Sequence, residues 1–205
     1  MKKSFKLTAF TLLFCLAAGT ASAENIKDRF GITGLMGFTL PASSSVIGAT
    51  LDTDPGIIFG GGFLYGIDKN LAAELTVLHS GFDAKDVSTG NKIAEFEVID
   101  ISIGGQYRVI TSVPSLVPYV GAGLDILLND FKITSGPVVR GDIDTTIGVH
   151  VSGGADYFLN KNLALTGELR IMTAMSGDIR PDVGKGGKFD PSSFSGLFGI
   201  RYFLD

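Results

Sequence analysis

After residue 24, apolar residues alternate with polar or small ones over stretches of about ten residues. No stretch there reaches the ~20 consecutive apolar residues of a membrane helix. This pattern constrains the chain more than anything else in it. In the first stretch Phe30, Ile32, Met36, Phe38 and Leu40 share one parity, and Gly31, Thr33, Leu35, Gly37 and Thr39 the other. The same alternation recurs at 57–66, 71–80, 98–108, 118–128, 147–157, 163–171 and 194–202. Those segments predict eight strands of about ten residues each, enough to cross a bilayer at a tilt.

The second parity decides which solvent each face meets. It carries Glu74, Asp100, Arg108, Asp125, His150, Asp156, Glu168, Arg170 and Arg201, and much of the chain's 28 glycines. A soluble sheet would bury its apolar face. Here small and charged residues suit the inside of a narrow closed barrel, where charges pair away from lipid. Closure also removes strand edges, which hydrocarbon does not tolerate. The fold class expected is all-β: an eight-stranded antiparallel up-and-down transmembrane barrel.

The connections alternate in length. Residues 67–70 and 159–162 read as short turns, and 109–117 as an intermediate link. The links 41–56, 82–92, 129–145 and 174–193 are long, polar and rich in Gly, Ser, Asp or Pro. Short turns on one side and long loops on the other match an outer-membrane barrel with its long loops outside the cell. The even strand count then puts both chain ends in the periplasm. An internal echo accompanies this pattern: Tyr65-Gly66-Ile67-Asp68-Lys69-Asn70-Leu71-Ala72 resembles Tyr157-Phe158-Leu159-Asn160-Lys161-Asn162-Leu163-Ala164. Duplication of a four-strand unit and shared hairpin constraints both account for it.

Residues 1–23 read as a secretory signal, leaving 24–205 as the barrel domain. Lys2, Lys3 and Lys6 precede the apolar run Leu7–Ala18, and Ala21-Ser22-Ala23 is a small-x-small cleavage site. Cys15, the only cysteine, lies inside this leader behind Phe14, where a lipoprotein site would need a small residue. The mature chain then has no thiolate or disulfide chemistry. Removing three lysines and no acid takes the formal charge from −4 to −7. An acidic chain without a basic cluster argues against nucleic acid.

The segment Pro118-Tyr119-Val120-Gly121-Ala122-Gly123-Leu124 resembles the P-Y-V-G-A-G segment of the OmpW family of small outer-membrane barrels. So do Gly105-Gln106-Tyr107-Arg108 before it, Gly153-Gly154-Ala155-Asp156-Tyr157-Phe158, and Asp190-Pro191 with Gly199-Ile200-Arg201-Tyr202-Phe203. The resemblance spans essentially the whole mature chain. There are two departures: the chain has no tryptophan, so Phe and Tyr must form the interfacial girdle, and it closes on Phe203-Leu204-Asp205 instead of an aromatic residue.

The resemblance implies a narrow channel or binding tube for small hydrophobic molecules. The expected partners are outer-membrane lipid, such a solute, and the barrel-insertion machinery during biogenesis; no cofactor or metal is implied. On the inward parity, Ile58, Leu78, Val98, Leu127, Met172 and Leu197 form an expected apolar upper lumen. Glu74, Asp100, Arg108, Asp125, Glu168, Arg170 and Arg201 form an expected polar plug beneath it. The plain alternative is that these side chains simply fill a barrel just wide enough for them. Two other functions stay in view: a non-conducting structural or adhesive surface barrel, and a lipid-modifying enzyme. For the enzyme, His150 and Ser152 share a strand face, like a pair in outer-membrane lipid A deacylases, and Glu168 could orient the imidazole. Val149 and Val151 occupy the face a lipid substrate would meet, so a satisfied interior histidine is expected instead.

Overall fold

The computed structural model describes residues 26–42, 44–46, 49–86, 92–133, 139–181 and 187–204. The leader read at 1–23 lies outside them. Eight long strands form a closed barrel: β1 (Phe30–Pro41), β2 (Gly56–Gly66), β3 (Leu71–Asp86), β4 (Lys92–Arg108), β5 (Leu116–Ile133), β6 (Thr146–Phe158), β7 (Leu163–Ala174) and β8 (Ser193–Leu204). Each pairs antiparallel with the next, and β8 closes on β1 from Phe30↔Leu204 to Pro41↔Ser193. The fold is the one expected.

The parity holds around the whole wall. Phe38, Phe63, Leu124, Val151, Leu169 and Ile200 are each more than half exposed, while Asp125, Asp156, Arg108 and Arg201 are buried inside. Such a surface is stable only against hydrocarbon, where each large side chain withdrawn from water contributes ~1.5–3 kcal/mol. Four of the five tyrosines, Tyr65, Tyr107, Tyr157 and Tyr202, stand outward beside the short turns. They mark one edge of the apolar belt, with the Phe30 ring 4.7 Å from that of Tyr65. On β4 the outward face stays apolar from Tyr107 up to Ile99, about 20–25 Å along the membrane normal at the usual rise and tilt.

The two short turns are built alike. Asp68 Oδ1 accepts the N–H groups of Asn70 (2.6 Å) and Leu71 (2.8 Å), and Asn160 Oδ1 those of Asn162 and Leu163 (both 2.9 Å). Asn70 and Asn162 then donate their side-chain amides to the carbonyls of Arg108 (2.7 Å) and Phe203 (2.8 Å) on the next strand. The two backbone N–H bonds at Asp68 hold its carboxyl below the usual range. This shared turn chemistry accounts for the Asp68/Asn160 and Asn70/Asn162 positions of the sequence echo.

The long links differ from the expectation of loops. β3, β4 and β5 run to 16, 17 and 18 residues, well past the belt. Five short strands, Ser44–Val46, Ala49–Thr53, Val139–Ile143, Gly177–Pro181 and Gly187–Phe189, pair in turn with one another and with β3 and β5. The three long strands and these five segments close a second ring above the first. Its pattern is that of a water-soluble sheet: Phe82, Ala84, Ala94, Phe96 and Phe131 point inward and are buried. Asp83, Lys85, Lys92 and Glu95 lie on the outer side, where Lys92 bridges Asp83 (2.9 Å) and Glu95 (2.6 Å).

Gly60 shows how closely the wall is drawn. A Cβ built there would lie 2.0 Å from the Val77 carbonyl oxygen of β3, a backbone atom that cannot swing aside. Gly60→Ala is therefore expected to destabilise the barrel by about 1–3 kcal/mol. The urea midpoint of refolding into lipid vesicles would measure it, and an unchanged midpoint would mean the strands can separate there.

Candidate binding site in the barrel interior

The interior is layered. Next to the short turns lies an apolar floor of Ile26, Leu64, Ala72, Val117, Phe158, Ala164 and Phe203, with the Phe158 and Phe203 rings stacked at 5.5 Å. The chain before β1 seals this end. Asp28, in the left-handed region (φ 61°), turns Ile26 under the strands, and Arg29 donates to the Lys161 carbonyl (2.9 Å) while lying 5.4 Å over the Phe203 ring. Aspartate tolerates this backbone region better than most residues.

Above the floor is a charged network. Asp156 Oδ2 accepts from both Arg108 and Arg201, the latter at 2.8 Å. Arg201 also donates to Glu74 (3.1 Å) and Thr33 (2.9 Å), and Gln106 bonds Glu74 (2.9 Å). The two guanidinium carbons each lie 5.7 Å from the ring centre of Tyr119, the fifth tyrosine, which is buried. Its hydroxyl donates to Glu168 (2.9 Å), and Glu168 accepts from Arg170 Nε (3.1 Å). One level up, His150 Nδ1 meets Asp125 Oδ1 at 2.7 Å, and Arg170 approaches Asp100 at 3.7 Å.

The structure therefore brings all seven residues of the expected plug into one interior assembly. It adds Asp156, Gln106, Tyr119, Thr33 and His150. The acid beside His150 is Asp125, not the suggested Glu168. The register explains this: His150 faces Met172 on β7, four residues beyond Glu168, but faces Gly123 on β5, two residues from Asp125. Ser152 lies against Gly121, and no Ser152–His150 hydrogen bond is present among the described residues.

Above the network Ile58, Leu78, Val98, Leu127 and Met172 line a cavity of about 20 Å³, with Asp100 and Arg170 on its wall as well. That is room for roughly one water. Leu197 sits beside it, packed with Leu35, Ile58 and Leu78. Four stacked rings cap the assembly: Phe96 against Phe189 (4.8 Å), Phe82 (5.8 Å) and Phe131 (6.2 Å). The sequence analysis did not pick out these phenylalanines or the apolar floor, although the inward parity of Phe82, Phe96 and Phe131 was readable.

A closed barrel with an apolar belt, an aromatic edge and a charged, internally paired core defines an integral outer-membrane β-barrel protein. The chain belongs to the family described as outer membrane protein beta-barrel domain, whose model matches residues 8–201. The OmpW-type barrel that the sequence resembles is the kind of barrel this chain forms. Its fold matches the crystal structure of the outer membrane protein OprG from Pseudomonas aeruginosa with a TM-score of 0.71 at 18% identity, over 89% of this chain and 99% of that one. The solid-state NMR structure of AlkL in lipid bilayers matches with a TM-score of 0.60 at 15% identity, over 92% and 93%. Neisserial surface protein A matches with a TM-score of 0.52 at 18% identity, over 84% and 96%. No curated protein matches the chain.

Proposed function

We propose that this outer-membrane barrel is a gated binding tube for small hydrophobic molecules, entered from the outside and closed at rest. The observation that carries this reading is the apolar chamber formed by Ile58, Leu78, Val98, Leu127 and Met172, roofed by aromatic side chains and floored by a charged network. A greasy solute displacing the Phe82–Phe96–Phe189 stack would exchange one apolar contact for another at little cost. An ion would meet two apolar layers and a core whose charges already pair, so no steady ionic conductance is expected. Met172, unbranched and flexible, suits a wall that must yield. The reading includes export directed by residues 1–23 and insertion by the barrel-insertion machinery.

Uptake of an apolar fluorescent solute into proteoliposomes tests the reading. Leu127→Asp or Met172→Asp, in protein checked for refolding, is expected to lower the rate at least about tenfold, since an unpaired charge on that wall disfavours an apolar occupant. Unchanged uptake would favour the second reading, a non-conducting surface barrel. That reading draws on the protruding upper ring with its charged outer face, where Lys85 pairs with Asp54 and Lys92 with Asp83. Its phenotypes would map to residues 41–56 and 174–193. We assign the barrel no catalysis: Asp125 occupies His150 Nδ1, and both lie deep inside, away from the lipid face of Val149 and Val151.

A further inference from the structure

The chamber has a polar floor that an all-hydrocarbon occupant would leave unsatisfied. Asp100 and Arg170 line it beside the five aliphatic side chains, and they are only 8% and 3% exposed. Asp100 Oδ1 and Arg170 Nη1 have no hydrogen-bond partner. Arg170 Nη1 lies 3.7 Å from the other Asp100 oxygen, too far for a hydrogen bond. An unmet acceptor and an unmet donor thus belong to two residues in the wall of a mainly apolar pocket, which Thr39, Ser80, Ser193 and Ser195 also line. Burying such groups without partners costs roughly 1–3 kcal/mol each, a cost that a matching ligand group would remove.

Resting on the binding-tube reading above, we infer that this floor is a head-group site and that the ligand class is a neutral amphiphile: an apolar chain carrying one hydroxyl. The hydroxyl oxygen accepts from Arg170 Nη1, its proton is donated to Asp100 Oδ1, and the chain lies among Leu78, Leu127 and Met172. Charge and hydrogen-bonding capacity together select against the alternatives. The membrane-spanning interior, among the described residues, holds five carboxylates (Glu74, Asp100, Asp125, Asp156 and Glu168) against three guanidiniums (Arg108, Arg170 and Arg201). A fatty carboxylate would pair with Arg170 but add another negative charge beside Asp100 and Asp125. An alkylammonium would suit the excess of carboxylates and pair with Asp100, but it presses on Arg170 and offers Nη1 no acceptor. An alkane satisfies neither group. Of these four head groups the hydroxyl alone supplies one acceptor and one donor without adding charge. The hydroxyl takes this position when the phenylalanine stack opens.

The test uses the full mature chain refolded in lipid nanodiscs with ¹³C-methyl methionine, reading the Met172 methyl signal, assigned with Met172→Leu. Four probes of equal chain length are titrated: 1-octanol, octane, octanoate and octylammonium. The expected result is a saturable shift with octanol binding about tenfold more tightly than octane, the equivalent of one hydrogen-bonded group. Octanoate and octylammonium are expected to bind more weakly than octanol. Asp100→Leu removes the acceptor of the hydroxyl proton and is expected to narrow the preference for octanol over octane, the contact with Arg170 Nη1 remaining. If that variant does not refold, the ranking of the four probes on the unaltered chain decides alone. Octane binding as tightly as octanol, or either charged probe binding more tightly, would overturn the head-group site while leaving an apolar tube standing. No Met172 response to any probe would overturn the tube and the head-group site together.

Discussion

Replacing Asp156 by leucine is expected to cost the barrel about 3–5 kcal/mol, the usual loss when one member of a buried charge cluster is removed and its partners stay behind. Asp156 is fully buried, and its Oδ2 is the acceptor shared by Arg108 and Arg201. Those guanidiniums flank Tyr119 from β4 and β8, so the aspartate on β6 ties three strands together across the lumen. Without it Arg201 keeps Glu74, and Arg108 keeps, among the described residues, the Gln106 amide oxygen at 3.2 Å and the face of Tyr119. Leucine shares the aspartate's branching but is bulkier and offers no acceptor, so two like charges would face a dry core. Asp156→Asn keeps one carbonyl acceptor and should lose clearly less. Reversible urea unfolding in lipid vesicles measures both. A loss under about 1 kcal/mol for the leucine variant would mean that water enters this layer and screens it.

How much of this was legible follows from where two solvents differ. The wall could be read because hydrocarbon outside and paired charges inside impose opposite demands on successive residues; Ile99-Asp100-Ile101-Ser102-Ile103 leaves no doubt about which side is which. The upper ring escaped the same reading because its solvent is different. In Phe82-Asp83-Ala84-Lys85 and Ala94-Glu95-Phe96-Glu97 the alternation continues unbroken, but the outer residues become charged, which looks like a polar link. The strand had not ended; it had left the membrane. Searching for a change of sign in the alternation, and not only for its end, would have found the phenylalanine cap.

The pairings were harder for another reason. Glu74 and Arg201 are 127 residues apart and meet only because β8 closes on β1. The partner of His150 depends on register, which no composition argument fixes. The floor was hidden by its neighbours. Leu64 sits between Phe63 and Tyr65, and Phe158 follows Tyr157, so an inward apolar residue merges with outward aromatic ones into a short unbroken run. Tyr119 was within reach: it precedes outward Val120, and its inward parity puts a phenol among arginines.

Leu124→Arg sets the two faces against each other most directly, because its neighbour Asp125 offers the control. Leu124 is 60% exposed in the isolated barrel and lies in register with Ile103 and Val149, both outward and apolar. It sits near the middle of the belt, where an arginine on the lipid face costs about 2–4 kcal/mol. Asp125, one residue on, is fully buried and accepts one hydrogen bond, from His150. Asparagine there keeps a carbonyl for the imidazole N–H and removes one negative charge from an interior in which carboxylates outnumber guanidiniums. Its cost should stay below about 1 kcal/mol, because the gain from less like-charge repulsion offsets the weaker hydrogen bond. By mean hydropathy alone neither change is remarkable in a chain with 19% charged residues. The predicted gap between the variants comes entirely from the side of the wall each residue faces. Equal refolding free energies in lipid vesicles, or a larger loss for Asp125→Asn, would mean that β5 is rotated by one residue; every inward position on it, Leu127 and the chamber wall included, would then have to be reassigned.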